Sequence, residues 1–105
     1  MIIVRGGVTT PKGFLANGIK AGLKKSGNPD LALIYSETPA VAAGIFTTNV
    51  FKASPVKLSM ANLRNKTHQA IVVNSGNANC ANGRQGDADA LLMAGYIAKG
   101  MGLGR

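Results

Sequence analysis

The sequence predicts an α+β fold whose first part is mostly strand. Three observations carry that prediction. Short apolar runs at residues 31–35, 41–46 and 69–73 are bounded by turn residues, which suits strands buried on both faces. Helix-start chemistry appears at Ser54-Pro55 and at Asp87, each followed by apolar residues at helical spacing. The strand-like runs also gather in the first half instead of alternating with helices, which argues against a doubly wound parallel sheet.

Taken in order, the elements read β-β-β-α-β-α. Residues 6–13 are a turn-rich opening. Residues 14–24 alternate roughly, with Gly18 and Gly22 as places for a bulge or kink. Ser26-Gly27-Asn28-Pro29-Asp30 is a strong turn signal. The runs at 31–35 and 41–46 form the next two strands, with Ser36-Glu37-Thr38-Pro39 as the break between them. Ser54 is placed to cap the next helix, and Pro55 loses no bond at its first position. Val56, Met60 and Leu63 share one side of it, and the helix fades near Asn65-Lys66. Residues 69–73 are a further buried strand, and residues 74–86 a loop rich in Asn and Gly. Asp87 then reads as an N-cap with Asp89 in the first turn; Ala88, Leu91, Leu92, Gly95 and Ala98 share a face, and Lys99-Gly100 ends the helix. Residues 100–105 show no stop of their own and read as a connection. The whole, 1–105, is expected to be a single partial domain.

Composition narrows the function. Hydrophobic residues make up 46% of the 105 and charged residues 15%, which suits a chain that buries a core. No apolar run approaches the roughly 20 residues that span a bilayer, and residues 1–5 lack the form of a signal peptide, so a soluble cytoplasmic protein is expected. One cysteine, Cys80, excludes an internal disulfide framework, and with one histidine it makes a soft-ligand metal site improbable. The formal charge of +8 suits an anionic substrate, nucleic acid or an acidic partner chain. Aromatic residues are only 5% and Trp is absent, which speaks against a strand-stacking RNA binder. A basic binding module for RNA or other anions stands as the alternative to an enzyme part.

The segment with the most chemical potential is 74–83, Asn-Ser-Gly-Asn-Ala-Asn-Cys-Ala-Asn-Gly, between a buried strand and a helix. Its residues suit either ligand contact or a self-bonded turn. Phosphate-loop, dinucleotide and Gly-x-Ser-x-Gly patterns are absent from it. Cys80 lacks a base that would lower its pKa. His68, the single histidine, reads as an exposed polar residue beside a helix end, and Asp87 and Asp89, two apart, fall on different helix faces.

Four segments in order then carry a resemblance: Gly-Val-Thr-Thr-Pro-Lys-Gly-Phe at 7–14, Lys-Lys-Ser-Gly-Asn-Pro-Asp-Leu-Ala-Leu-Ile at 24–34, Ala-Gly-Ile-Phe-Thr-Thr-Asn at 43–49, and Ala-Ile-Val-Val-Asn-Ser-Gly-Asn-Ala-Asn at 70–79. Arg84-Gln85-Gly86-Asp87-Ala88 continues it. Together they resemble the opening of the bifunctional ornithine acetyltransferase (glutamate N-acetyltransferase) family of arginine biosynthesis. One departure is Cys80-Ala81-Asn82-Gly83, where a Thr is expected before the last Gly.

The resemblance implies acetyl transfer from N-acetylornithine to glutamate, with acetyl-CoA as a substrate in some members and no cofactor. It implies a precursor that cuts itself between Ala and Thr, so that the freed Thr of a β chain is the nucleophile, with a Ser-Thr-Gly oxyanion turn. The resemblance implies that this α chain shares an α/β sandwich with its partner, the β chain, and that the two assemble into a heterotetramer. No Ala-Thr pair and no Ser-Thr-Gly occurs in these 105 residues. Catalytic residues are therefore not expected in this chain, nor is the substrate-gripping Lys. Asn74, Ser75, Gly76, Asn77 and Asn79 are left as a candidate wall of the active site.

Overall fold

A computed structural model describes residues 1–103; Gly104 and Arg105 lie outside the described residues. Five elements follow one another: β1 (Phe14–Ile19), β2 (Leu31–Ala40), α1 (Ser54–Asn62), β3 (His68–Asn74) and α2 (Gly83–Gly100). The α+β class is as the sequence predicts. The chain divides into two compact units, one of Met1–Ala40 with Gln69–Asn77 and one of Val41–His68 with Ala78–Arg105.

The first unit is built on a sheet in the order β1-β2-β3. β1 and β2 are antiparallel, with Leu15 opposite Tyr35, Asn17 opposite Leu33 and Ile19 opposite Leu31 on one face. Phe14, Ala16 and Gly18 meet Ser36, Ile34 and Ala32 on the other. Both faces thus carry apolar side chains, as a run without alternation requires. The Gln69 side-chain amide donates to the Ser36 carbonyl, and the Ser75 N–H to the Asp30 carbonyl, so β3 runs against β2.

Two differences from expectation have local causes. β2 continues through Ser36-Glu37-Thr38-Pro39, which read as a break. Ser36 is buried and its hydroxyl bonds the Thr38 carbonyl, the Glu37 N–H donates to the Gly13 carbonyl, and Pro39, which has no donor, sits next to the strand end where none is needed. Residues 41–46, expected as a strand, stay outside the sheet, so the order among the described residues is β-β-α-β-α. Apolar content alone makes no strand; a ladder partner is required.

In the second unit α1 packs on α2. The N-cap of α1 is Ala53, with no side-chain cap, and Ser54 is the first helical residue. Its hydroxyl is turned inward instead, buried beside Gly86. α1 ends at Asn62, before the expected Asn65-Lys66, where consecutive tight turns at 64 and 65 take over.

α2 begins at Gly83, four residues ahead of the expected Asp87, so Asp87 lies in its second turn and is no cap. Its inward stripe is Gly86, Ala90, Met93, Ala94 and Ile97, while Leu91 and Leu92 are half exposed or more. Of the expected face, Ala88, Leu91 and Leu92 are therefore turned outward, while Gly95 and Ala98 are half-buried. Small size decides this at Gly86, which lets the helix approach Ser54 closely, as Leu does not.

The far end of α2 also differs from expectation, because it has a stop. Gly102 is left-handed at φ 68, the Leu103 N–H reaches the Ala98 carbonyl at 2.7 Å, and the Gly102 N–H reaches that of Lys99 at 3.3 Å. This is a Schellman closure, with Lys99 in the last turn where the helix dipole favours a cation.

Candidate functional site

The Asn-rich segment leaves the end of β3 and leads into α2. Its first residues belong to the first unit. The Ser75 N–H donates to the Asp30 carbonyl at 2.9 Å, continuing the ladder one residue past the strand. Gly76 is left-handed at φ 87, which reverses the chain at a place where a Cβ would be strained. The Asn74 side-chain amide donates to the Asn77 carbonyl at 2.9 Å and closes the turn. Asn74 is thus committed to the turn. No hydrogen bond engages the Ser75 hydroxyl or the Asn77 side chain among the described residues, and both residues are exposed.

Asn79 lies in the second unit. Its amide nitrogen donates to the Gly86 carbonyl at 2.7 Å, and its oxygen accepts from Asn82 at 3.0 Å. Both ends of the amide are spent on shaping the start of α2. Ala81 is the single non-glycine residue at positive φ, 58, among the described residues. Of the five candidate wall residues, then, Asn74 and Asn79 build turns, Gly76 supplies backbone shape, and Ser75 and Asn77 have side chains free for a ligand.

The remaining titratable groups have local roles. Asp87 pairs with Lys57 at 2.7 Å, both about half exposed. The Lys57 ammonium and then the Ser54 hydroxyl hold its carboxyl below the usual range. Asp89 accepts from Gln85 one turn earlier, at 2.8 Å. Cys80 is exposed and free. His68, expected exposed, is half-buried at the start of β3, with Nε2 3.3 Å from the Asn62 carbonyl. The described residues contain no group of three His, Cys, Asp or Glu arranged to hold a metal.

The residue that sequence reasoning placed only in a turn, and that the structure makes central, is Asp30. It is 4% exposed. One carboxylate oxygen accepts the Ala21 N–H at 2.6 Å; the other accepts those of Leu23 and Lys24 at 2.6 and 3.0 Å. This capture explains why β1 stops at Ile19 and does not run on to Lys24: the donors of 21–24 go to a side chain instead of a ladder. The bond from Ala21 and then that from Lys24 hold the carboxyl below the usual aspartate range; burial opposes them, and the bond from Leu23 and the Lys24 charge assist. A sequence signal existed, since Asp30 is the first acid after a run holding five Lys and Arg, directly ahead of an apolar strand.

A family model, that of the ArgJ family, matches residues 15–105. The chain belongs to the ArgJ family. It is 51% identical over 104 residues to the arginine biosynthesis bifunctional protein ArgJ of Dehalococcoides mccartyi, covering 97% of this chain and 26% of that protein. To the protein of the same name from Synechocystis it is 50% identical, covering 96% and 25%. Two solved structures share the fold. The Bacillus halodurans arginine biosynthesis bifunctional protein ArgJ superposes with a TM-score of 0.89 at 37% identity, covering 94% of this chain and 52% of that one. The Mycobacterium tuberculosis ornithine acetyltransferase, solved in complex with ornithine, gives 0.88 at 43%, covering 91% and 50%. The chain spans about a quarter of the length of the curated ArgJ relatives it matches. No helix among the described residues is long and apolar enough to cross a membrane.

Proposed function

We propose that this chain is the N-terminal part of the α chain of a glutamate N-acetyltransferase, cytoplasmic and without a cofactor, that moves acetyl from N-acetylornithine to glutamate. The observation that carries the reading is ArgJ membership over residues 15–105, with ornithine named as the ligand of one structural relative. The nucleophilic Thr, the Ala-Thr cleavage point and the oxyanion turn belong to the remainder of the polypeptide, and acetyl-CoA serves as a second donor where the parent enzyme accepts it. The chain alone is inactive.

Its contribution is sheet and helix scaffold plus the turn at 74–79, with Ser75 and Asn77 as the side chains that face substrate. The β chain is the partner, within a heterotetramer. Exposed apolar residues support this, since Leu15, Ile19, Ile71 and Val73 on the strands are all at least half exposed and Ala90 is the one buried apolar side chain among the described residues. The +8 charge is then one side of a protein contact.

The test is the full-length enzyme assayed with N-acetylornithine and glutamate. Formation of N-acetylglutamate and ornithine, lost when the β-chain Thr is replaced, is the expected result. A processed, folded enzyme that transfers acetyl from neither N-acetylornithine nor acetyl-CoA defeats the reading.

A further inference from the structure

We propose that Asp30 is the positioning residue of the Asn-rich turn, its carboxylate holding the 21–24 arch against which Gly76 closes while its main-chain carbonyl holds Ser75.

Successive N–H groups that converge around a left-handed residue form a nest for an anion. The arch has that form. Gly22 is left-handed at φ 85, and the N–H groups of Ala21, Leu23 and Lys24 converge on the two oxygens of one carboxylate. The anion that fills it is the chain's own Asp30 carboxylate. Without it, three donors in a part-buried place lose their acceptor.

The arch in turn meets the turn. A Cβ placed on Gly76 lies 2.7 Å from Lys24 Cγ and 3.5 Å from the Leu23 carbonyl carbon and the Lys24 nitrogen. The nearest neighbours of that glycine are thus two of the residues that Asp30 holds. From its other end, Asp30 accepts the Ser75 N–H at 2.9 Å and donates its own N–H to Ile19 at 3.0 Å. One residue fixes the end of β1, the arch and the first residue of the turn. Ser75 and Asn77, the two free side chains, flank the glycine so held.

The effect on catalysis rests on the reading of this turn as an active-site wall; the effect on structure does not. In the full-length enzyme, Asp30→Asn keeps the size but sets an NH2 group against the nest. Amide hydrogen exchange followed peptide by peptide should quicken about tenfold at 21–24 and at 74–77, with α2 unchanged, since local opening has its own free energy. KM for the acetyl donor should rise several-fold with a smaller change in kcat.

Quickening at 21–24 alone would show arch and turn to be independent and overturn the proposal, as would equal quickening throughout α2, which marks a general stability residue. If Asp30→Asn does not fold, Gly76→Ala breaks the same contact from the other side and leaves the carboxylate in place. It should loosen 21–24 together with 74–77, and an unchanged 21–24 overturns the proposal. Coupled loosening with unchanged KM supports the positioning role and removes the turn from the active-site wall.

Discussion

In residues 75–77 the backbone is anchored and side chains are left over; in residues 79–86 the side chains themselves do the anchoring. Ser75 is held by its N–H, Gly76 by its φ and its neighbours, and Asn77 by its carbonyl, so that one hydroxyl and one amide are unspent. Asn79 spends both ends of its amide on Gly86 and Asn82, and a Cβ on Gly86 would lie 2.5 Å from the Asn79 oxygen, 2.7 Å from Asn82 Cβ and 3.1 Å from the Ser54 hydroxyl. The same residue type, three times within six positions, therefore does two jobs. An Asn whose amide is fully bonded shapes the chain, and an Asn whose backbone is bonded for it is free to meet something else.

The contrast breaks most visibly at Gly86. Gly86→Val in the full-length enzyme should cost about 2–3 kcal/mol, because the added atoms overlap Asn82 Cβ and the bonded Asn79 amide oxygen on a buried side of α2. The midpoint of urea unfolding measures this, and an unchanged midpoint would mean the helix start moves aside freely. Next in size is the pair Asn79→Ala and Asn77→Ala. The first should lower stability by about 1–2 kcal/mol through two lost hydrogen bonds. The second should stay within about 0.5 kcal/mol, as for an exposed side chain without partners, while raising KM. If the two variants behave alike in both readouts, the distinction between the halves collapses.

The smallest expected effect is in acid and concerns Asp30. Its folded carboxyl titrates below its unfolded value, so the stabilisation it gives is complete above the ordinary aspartate pKa and is lost as pH falls through the lower folded one. Asp87 has the same sign, through Lys57 and Ser54, and remains in the variant. The stability difference between wild type and Asp30→Asn should therefore be constant from about pH 5 to 7 and shrink below about pH 4. A difference that is flat down to pH 2.5 would show that ionisation of Asp30 does not matter to the fold.

The fold class was legible because apolar runs and turn clusters are local features of the chain. Ser26-Gly27-Asn28-Pro29-Asp30 was readable for the same reason. Element edges were not, and each case has a cause. Ser54 resembles a cap, yet its hydroxyl is turned toward Gly86, 32 positions away, a contact no local pattern announces. The inward face of α2 follows Gly86 and Ala90 because close approach outweighs the larger apolar area of Leu91 and Leu92. Asp30 reads as a turn residue, and the three amides that define its role lie six to nine positions earlier, in a stretch that alternates like a strand. The candidate segment is picked out by its composition and its place between a strand and a helix, but which of its five residues have free side chains depends on hydrogen bonds that composition does not contain.

β3 is an edge of the sheet among the described residues, and its centre is Ala-Ile-Val-Val, with no charge and no proline. Sheet edges usually defend themselves with a lysine, a proline or a bulge, and an uncharged β-branched run is the composition that stacks into cross-β ladders. Until another strand or layer covers it, this edge pairs as readily with a second molecule as with its proper neighbour. Productive folding is then a race between covering that edge and aggregation, decided by concentration and by how soon the covering segment arrives.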